Sequence, residues 1–190
     1  MIYQPAIQDI YSRLYRLEEY LFGEVGPNFA TTGHLSPVDL FTIFIWKANR
    51  KKYEARDKIK NRYNQSFEAG TARFASEITA SDNPQSKLEA VMSWNFRLPT
   101  ASAILTVFYP LVFTIYDYRV RSALDIHTNL AARDYSPNLW RQYQEYKNAV
   151  IANAPVGLTL RECDHHHWGR SFDQDRIIQA ANGRPTKPIS

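Results

Sequence analysis

Prolines divide this chain into segments, and six of them, Pro37, Pro84, Pro99, Pro110, Pro137 and Pro155, stand where an apolar segment starts or stops. Proline lacks an N–H and has a fixed φ, so it fits the first turn of a helix and breaks a helix elsewhere. Ser36, Asn83 and Ser136 precede three of these prolines and supply side-chain oxygens of the kind that cap helix N-termini. Within the segments apolar residues recur at three- and four-residue steps, as in Ile7, Ile10, Leu14, Leu17 and Leu21, while short alternating stretches of the strand type are missing. The pattern predicts an all-α bundle of about ten short helices. The first covers residues 6–22 and ends at "FGEVGPN". The second opens at Ser36 and places Leu40 to Trp46 at the centre of the core, and another runs from Asp117 to about Ile126. Two more are expected near the end, one from Thr159 and one over "FDQDRIIQAANG". Residues 1–182 read as one domain and 183–190 as a loose tail.

A length of 190 residues suits a single core, and an aromatic share of 14% excludes disorder for most of the chain. Cys163 is the lone cysteine, which excludes an intramolecular disulfide, a zinc ribbon and a cysteine-ligated iron–sulfur cluster. No apolar run is long enough to span a bilayer and the N-terminal residues carry charge throughout, so a cytoplasmic location and no membrane partner are expected. The net charge of +4 is unevenly placed: the segment from Lys47 to Arg62 carries eight basic residues against Glu54 and Asp57, so the rest of the chain is slightly acidic. Concentrated basicity of this kind neutralises phosphates, with a solvated helix face as the alternative.

The stretch "RLPTASAILTVFYPLVFTIYDYRVRSAL", residues 97–124, joins a small-residue helix to a second helix that opens on one carboxylate, Asp117. It resembles the motif of the helix-hairpin-helix DNA glycosylase superfamily, which includes endonuclease III and the adenine glycosylases. In that motif a hairpin leads into a helix opened by a Thr-Ala pair, here Thr100 and Ala101, and an invariant Asp follows, here seventeen residues on. The resemblance implies a cofactor-free enzyme that binds double-stranded DNA and hydrolyses an N-glycosidic bond, with Asp117 as the essential carboxylate. It also implies phosphate contacts from a hairpin of Asn95, Phe96 and Arg97, and from Thr100 and Ser102, where helix N–H groups and hydroxyls would meet an anion. Lys47, Arg50, Lys51 and Lys52 would add cations, and Tyr116, Tyr118 and Arg119 would wall the pocket of a flipped base. Two departures stand out. The hairpin glycines of the family are replaced, so Asn95 would need the left-handed conformation, and Pro99 occupies the position of the lysine nucleophile, leaving a monofunctional enzyme.

A second likeness is to a set of bacterial proteins with "WK..R" in an early helix and "LRE.D...W" near the end. Here those positions are Trp46, Lys47 and Arg50, then Leu160, Arg161, Glu162, Asp164 and Trp168. Three rival readings stay open. Asp117 is also a good plain N-cap. The chain also suits a non-catalytic DNA- or protein-binding member of the same fold. Finally, "CDHHHW" offers Cys163 with His166 or His167 as metal ligands on one helical face, with Asp164 adding a hard ligand and a second pair having to come from His34 or His127, against a surface helix whose Trp168 packs inward.

Overall fold

The computed structural model describes residues 16–126 and 128–181, the last ten of them as helical backbone. None of these residues forms a strand, and they make eight continuous helical runs. The first, α1, covers residues 17–32 as α-helical Leu17–Tyr20, a π turn Leu21–Val25 and α-helical Gly26–Thr32. The expected stop at "FGEVGPN" is therefore corrected. Pro27 lies in the first turn after the π turn, where a missing N–H costs little. Gly26 is a contact residue: a Cβ there would lie 2.2 Å from the carbonyl oxygen of Val107. The helix stops at Gly33, which takes φ +68° and donates its N–H to Phe29 O at 2.8 Å.

Helix α2 (Pro37–Ala48) starts where Ser36 Oγ accepts from the Asp39 N–H, and Tyr20 donates its hydroxyl to Asp39 Oδ1 at 2.6 Å, tying α1 to α2. A 3-10 turn, Asn49–Lys51, leads directly into α3 (Lys52–Asn61). Helices α4 (Phe67–Thr79) and α5 (Pro84–Ser93) follow, capped by Ser66 and by a reciprocal box of Asn83 and Ser86. Helix α6 (Leu98–Phe108) buries Leu98 and every residue from Ala101 to Phe108. The core thus centres on α6, and on α2 Leu40, Thr42, Ile43 and Phe44 are buried while Phe41 and Trp46 pack against it half-buried. Helix α7 (Tyr118–Ala123) is shorter than expected. Helices α8 (Pro137–Ala152) and α9 (Leu160–Ala181) close the fold, and the two short helices expected at the end are one of 22 residues. No proline interrupts 160–181. Residue 127, residues 1–15 and the tail 183–190 fall outside the described residues.

Between α6 and α7 residues 113–117 belong to neither helix nor strand, so no regular structure satisfies their backbone. Side chains do so instead. Tyr143 on α8 donates to Thr114 O at 2.6 Å and accepts from Thr114 N–H, and Tyr146 donates to Ile115 O at 2.9 Å and accepts from Asp117 N–H. Ser102 Oγ accepts from Tyr116 N–H at 2.9 Å. An unsatisfied buried peptide group costs about 1–3 kcal/mol, so these hydroxyls are what allow the segment to lie in the interior and deliver Asp117 to its position.

Candidate active-site cleft

Asp117 caps α7: its Oδ1 accepts from the Arg119 N–H at 2.9 Å. Its Oδ2 is engaged separately, by Lys47 Nζ from the last turn of α2 at 3.1 Å, 70 residues away in sequence. The plain-cap reading explains one oxygen and leaves the other unexplained. The pair lines a cleft of about 520 Å³ whose other walls are Glu18, Trp46, Ile115, Arg161, Asp164, His165 and Trp168. Four elements, α1, α2, α7 and α9, meet there.

The Arg161 guanidinium organises the far side. It donates to Asp164 Oδ2 and, at 2.6 Å, to Glu18 Oε1, and it lies over the rings of Phe22 and Trp46 at 5.0 and 5.5 Å. His165 Nε2 meets the same Glu18 oxygen at 2.6 Å. The two carboxylates on this one arginine are driven apart. Burial works against the charged form of Glu18 but is outweighed by the hydrogen bond from His165 and the charge of Arg161, which hold it at about 2. Burial of Asp164 outweighs the charges of Arg161, Lys47 and His165 and raises it to about 6. Asp164 is 4% exposed, and its Oδ1 has no hydrogen-bond partner among the described residues.

The two short motifs singled out in the sequence, Trp46 with Lys47 and Arg161 with Asp164 and Trp168, are therefore brought together around Asp117. Trp168 is corrected from inward-packing to 47% exposed on the cleft; the inward face of α9 carries Cys163, Asp164 and His167. Glu18 carried no local signal, because its partners Arg161 and His165 lie 143 and 147 residues away in sequence.

The hairpin between α5 and α6 lies apart from this cleft. Asn95 takes φ +63°, the left-handed conformation that a glycine would otherwise supply, and its carbonyl accepts from Lys58 Nζ at 2.9 Å. Asn95 and Arg97 are exposed, and Arg97 pairs with Asp134. Phe96 is a core residue, 3% exposed and packed against Phe44 and Phe74, so it does not contact a phosphate in this arrangement. Ser102 is fully buried, its hydroxyl committed to Tyr116. The N–H groups of Thr100 and Ala101 both bond to Arg97 O at 3.0 Å, so the helix start offers fewer free donors than expected. Lys51, Lys58, Asn95, Arg97 and Thr100 line a shallow cleft of about 390 Å³ beside the hairpin. Arg50 and Lys51 are exposed, and Lys52 is held to Asn49 Oδ1 at 2.6 Å.

Of the expected base-pocket residues, Tyr116 is 2% exposed and bonded through its hydroxyl to Thr128 O and Leu130 N–H, facing a separate small cavity of about 180 Å³. Tyr118 is exposed, with the Arg119 guanidinium 5.4 Å from its ring centre. Neither lines the Asp117 cleft. The rings that do are Trp46 and Trp168. On α9 Cys163 and His167 are buried while His166 is exposed, and His167 Nε2 donates to Val150 O at 2.9 Å. No three metal-ligating side chains cluster among the described residues. No helix among them is long and apolar enough to cross a membrane. Compared with protein-family models, curated proteins and solved structures, the chain matches none.

Proposed function

We propose that this chain is a helix-hairpin-helix glycosylase-like protein that binds duplex DNA and hydrolyses the N-glycosidic bond of a damaged or modified base, with Asp117 as the essential carboxylate and no cofactor. The observation that carries the reading is Asp117 itself: a helix-capping carboxylate held by Lys47 at 3.1 Å on the wall of a cleft lined by two tryptophans. A flipped nucleotide needs aromatic faces to stack on, which Trp46 and Trp168 provide. The departing base leaves positive charge on the sugar, and a fixed carboxylate beside it lowers the energy of that state. Lys47 orients Asp117. The hairpin fits backbone contact through the left-handed Asn95, and Lys51, Lys58 and Arg97 beside it fit phosphate binding.

A second reading, a DNA-binding protein without catalysis, is favoured by the engagement of both Asp117 oxygens before any ligand arrives. One experiment separates them. The purified chain and its Asp117→Asn variant are incubated with duplexes carrying a panel of alkylated, deaminated and oxidised bases, and base release and duplex binding are both followed. The first reading expects release by the wild type, loss of at least about 100-fold in the variant, and binding retained. Binding without release from any duplex selects the second.

A further inference from the structure

We infer that Glu18 reads the flipped base by accepting N–H donors from its Watson–Crick edge, so that the cleft selects guanine-derived lesions. This rests on the glycosylase reading and deepens it by naming the substrate class. The other charged groups of the cleft are committed to one another. Lys47 holds one oxygen of Asp117 while the other caps α7, and the Arg161 guanidinium is divided between Asp164 Oδ2 and Glu18 Oε1. Asp164 is buried, with 5% of its side chain accessible. Glu18 differs. Its side chain is 42% accessible, Oε1 alone is held, by Arg161 and His165 at 2.6 Å each, and Oε2 has no hydrogen-bond partner among the described residues.

The chemistry of that oxygen sets what it can meet. Burial opposes the charge of Glu18, but His165 and Arg161 outweigh it and hold the carboxyl at about 2, so at neutral pH Oε2 only accepts hydrogen bonds. The two partners on Oε1 also hold the side chain in place, so little freedom is left to lose when a base arrives. An N–H on the base gains a charge-assisted bond there, whereas a carbonyl or ring-nitrogen lone pair is repelled. Among base edges guanine alone presents two adjacent N–H donors, N1–H and the 2-amino group, which can converge on one oxygen. Adenine and cytosine set an amino group beside a ring acceptor, thymine and uracil flank one N–H with two carbonyls, and hypoxanthine keeps N1–H but lacks the amino group. Trp46 and Trp168 carry no such preference, because every base has a face to stack. Glu18 is the part of the wall that tells edges apart. Oxidation at C8 or methylation at N7 leaves both donors of the guanine edge in place.

The test removes donors from the base and the acceptor from the protein. Single-turnover release by the wild type and Glu18→Gln is measured from duplexes carrying 8-oxoguanine, 7-methylguanine, 8-oxoadenine, 3-methyladenine or 5-hydroxycytosine. The wild type is expected to release a guanine-derived base at least about 10-fold faster than any of the others. For the guanine lesion released fastest, deletion of the 2-amino group, as in 8-oxohypoxanthine for 8-oxoguanine, is expected to slow the wild type by about 10- to 100-fold. Glu18→Gln keeps a carbonyl for Arg161 and His165 and makes the open atom a donor. It is expected to lose about 10- to 100-fold on the guanine lesion and less than about threefold on the counterpart without the amino group, with duplex binding retained. A wild type that prefers an adenine or cytosine lesion, or that is indifferent to the 2-amino group, overturns the assignment while leaving Asp117 in place, as does an amino deletion that slows wild type and Glu18→Gln equally. A wild type that releases none of these bases removes the glycosylase reading and this inference with it. The wild-type comparison stands independently of whether the variant folds.

Discussion

Asp117 shares its cleft with Asp164, the more deeply buried of the two carboxylates. Asp117 was legible because it opens a helix after an apolar run, but its partner Lys47 lies 70 residues earlier and no spacing rule connects them. Asp164 was legible as a letter in a short pattern and as a hard ligand beside Cys163; what sets it apart is burial, which emerges once α9 packs against α7 and α8. That burial has a consequence for stability. The folded chain holds the Asp164 proton up to about pH 6, whereas an unfolded chain releases it near 3.8. Folding therefore binds a proton between those values, and the contribution of this group to stability falls as pH rises through that window. Urea unfolding of the wild type and Asp164→Asn at pH 4 and pH 7.5 should show the difference between them moving by about 2–3 kcal/mol in favour of the variant at the higher pH. A difference independent of pH would mean that Asp164 is not perturbed by burial. Glu18 acts in the opposite direction, contributing stability above about 4.5 that is lost as pH falls toward 2.

Helix boundaries followed from capping chemistry wherever a cap was local. Ser36, Asn83, Ser136 and Thr159 each start a helix as their side chains imply. The failures came where a glycine or a break served another element. Gly26 was read as a helix stop, yet it is the point where α1 passes against the Val107 carbonyl. Gly26→Val should therefore destabilise the fold by about 3 kcal/mol or more, measured by urea unfolding, because backbone rather than a movable side chain blocks the added atoms. A change under about 1 kcal/mol would show that α1 and α6 can separate without cost. The support of segment 113–117 was not legible, because the Tyr143 hydroxyl reaches Thr114 across 29 residues of sequence. Tyr143→Phe keeps the ring and removes the hydroxyl shared by the Thr114 N–H and C=O. It should cost about 1–3 kcal/mol by the same measurement and weaken base release through misplacement of Asp117, with DNA binding retained.

Across the whole molecule, the all-helical architecture was legible from proline placement and helical periodicity, and the cleft was not, because it forms only where α1, α2, α7 and α9 converge. The basic run illustrates both sides. Its cations were evident in the sequence, but the structure distributes them: Lys47 into the Asp117 cleft, Lys51 and Lys58 beside the hairpin, and Arg62 with Lys58 into a further surface cleft with Trp94 and Asn95. A surface that carries a duplex past the hairpin should lose affinity when Lys51→Glu and Lys52→Glu are combined, with the dependence of binding on salt shallower by about two in logarithmic slope. Unchanged affinity would place the duplex elsewhere. The most direct test of the account as a whole is the affinity of the purified chain for a duplex containing a tetrahydrofuran abasic analogue, set against the same duplex without it, over a salt series. The account predicts tighter binding to the abasic duplex that weakens with salt, with the preference reduced by Trp168→Ala in the cleft. Equal binding to both duplexes would contradict a base-flipping cleft at Asp117, and no binding at low salt would contradict a DNA-binding role altogether.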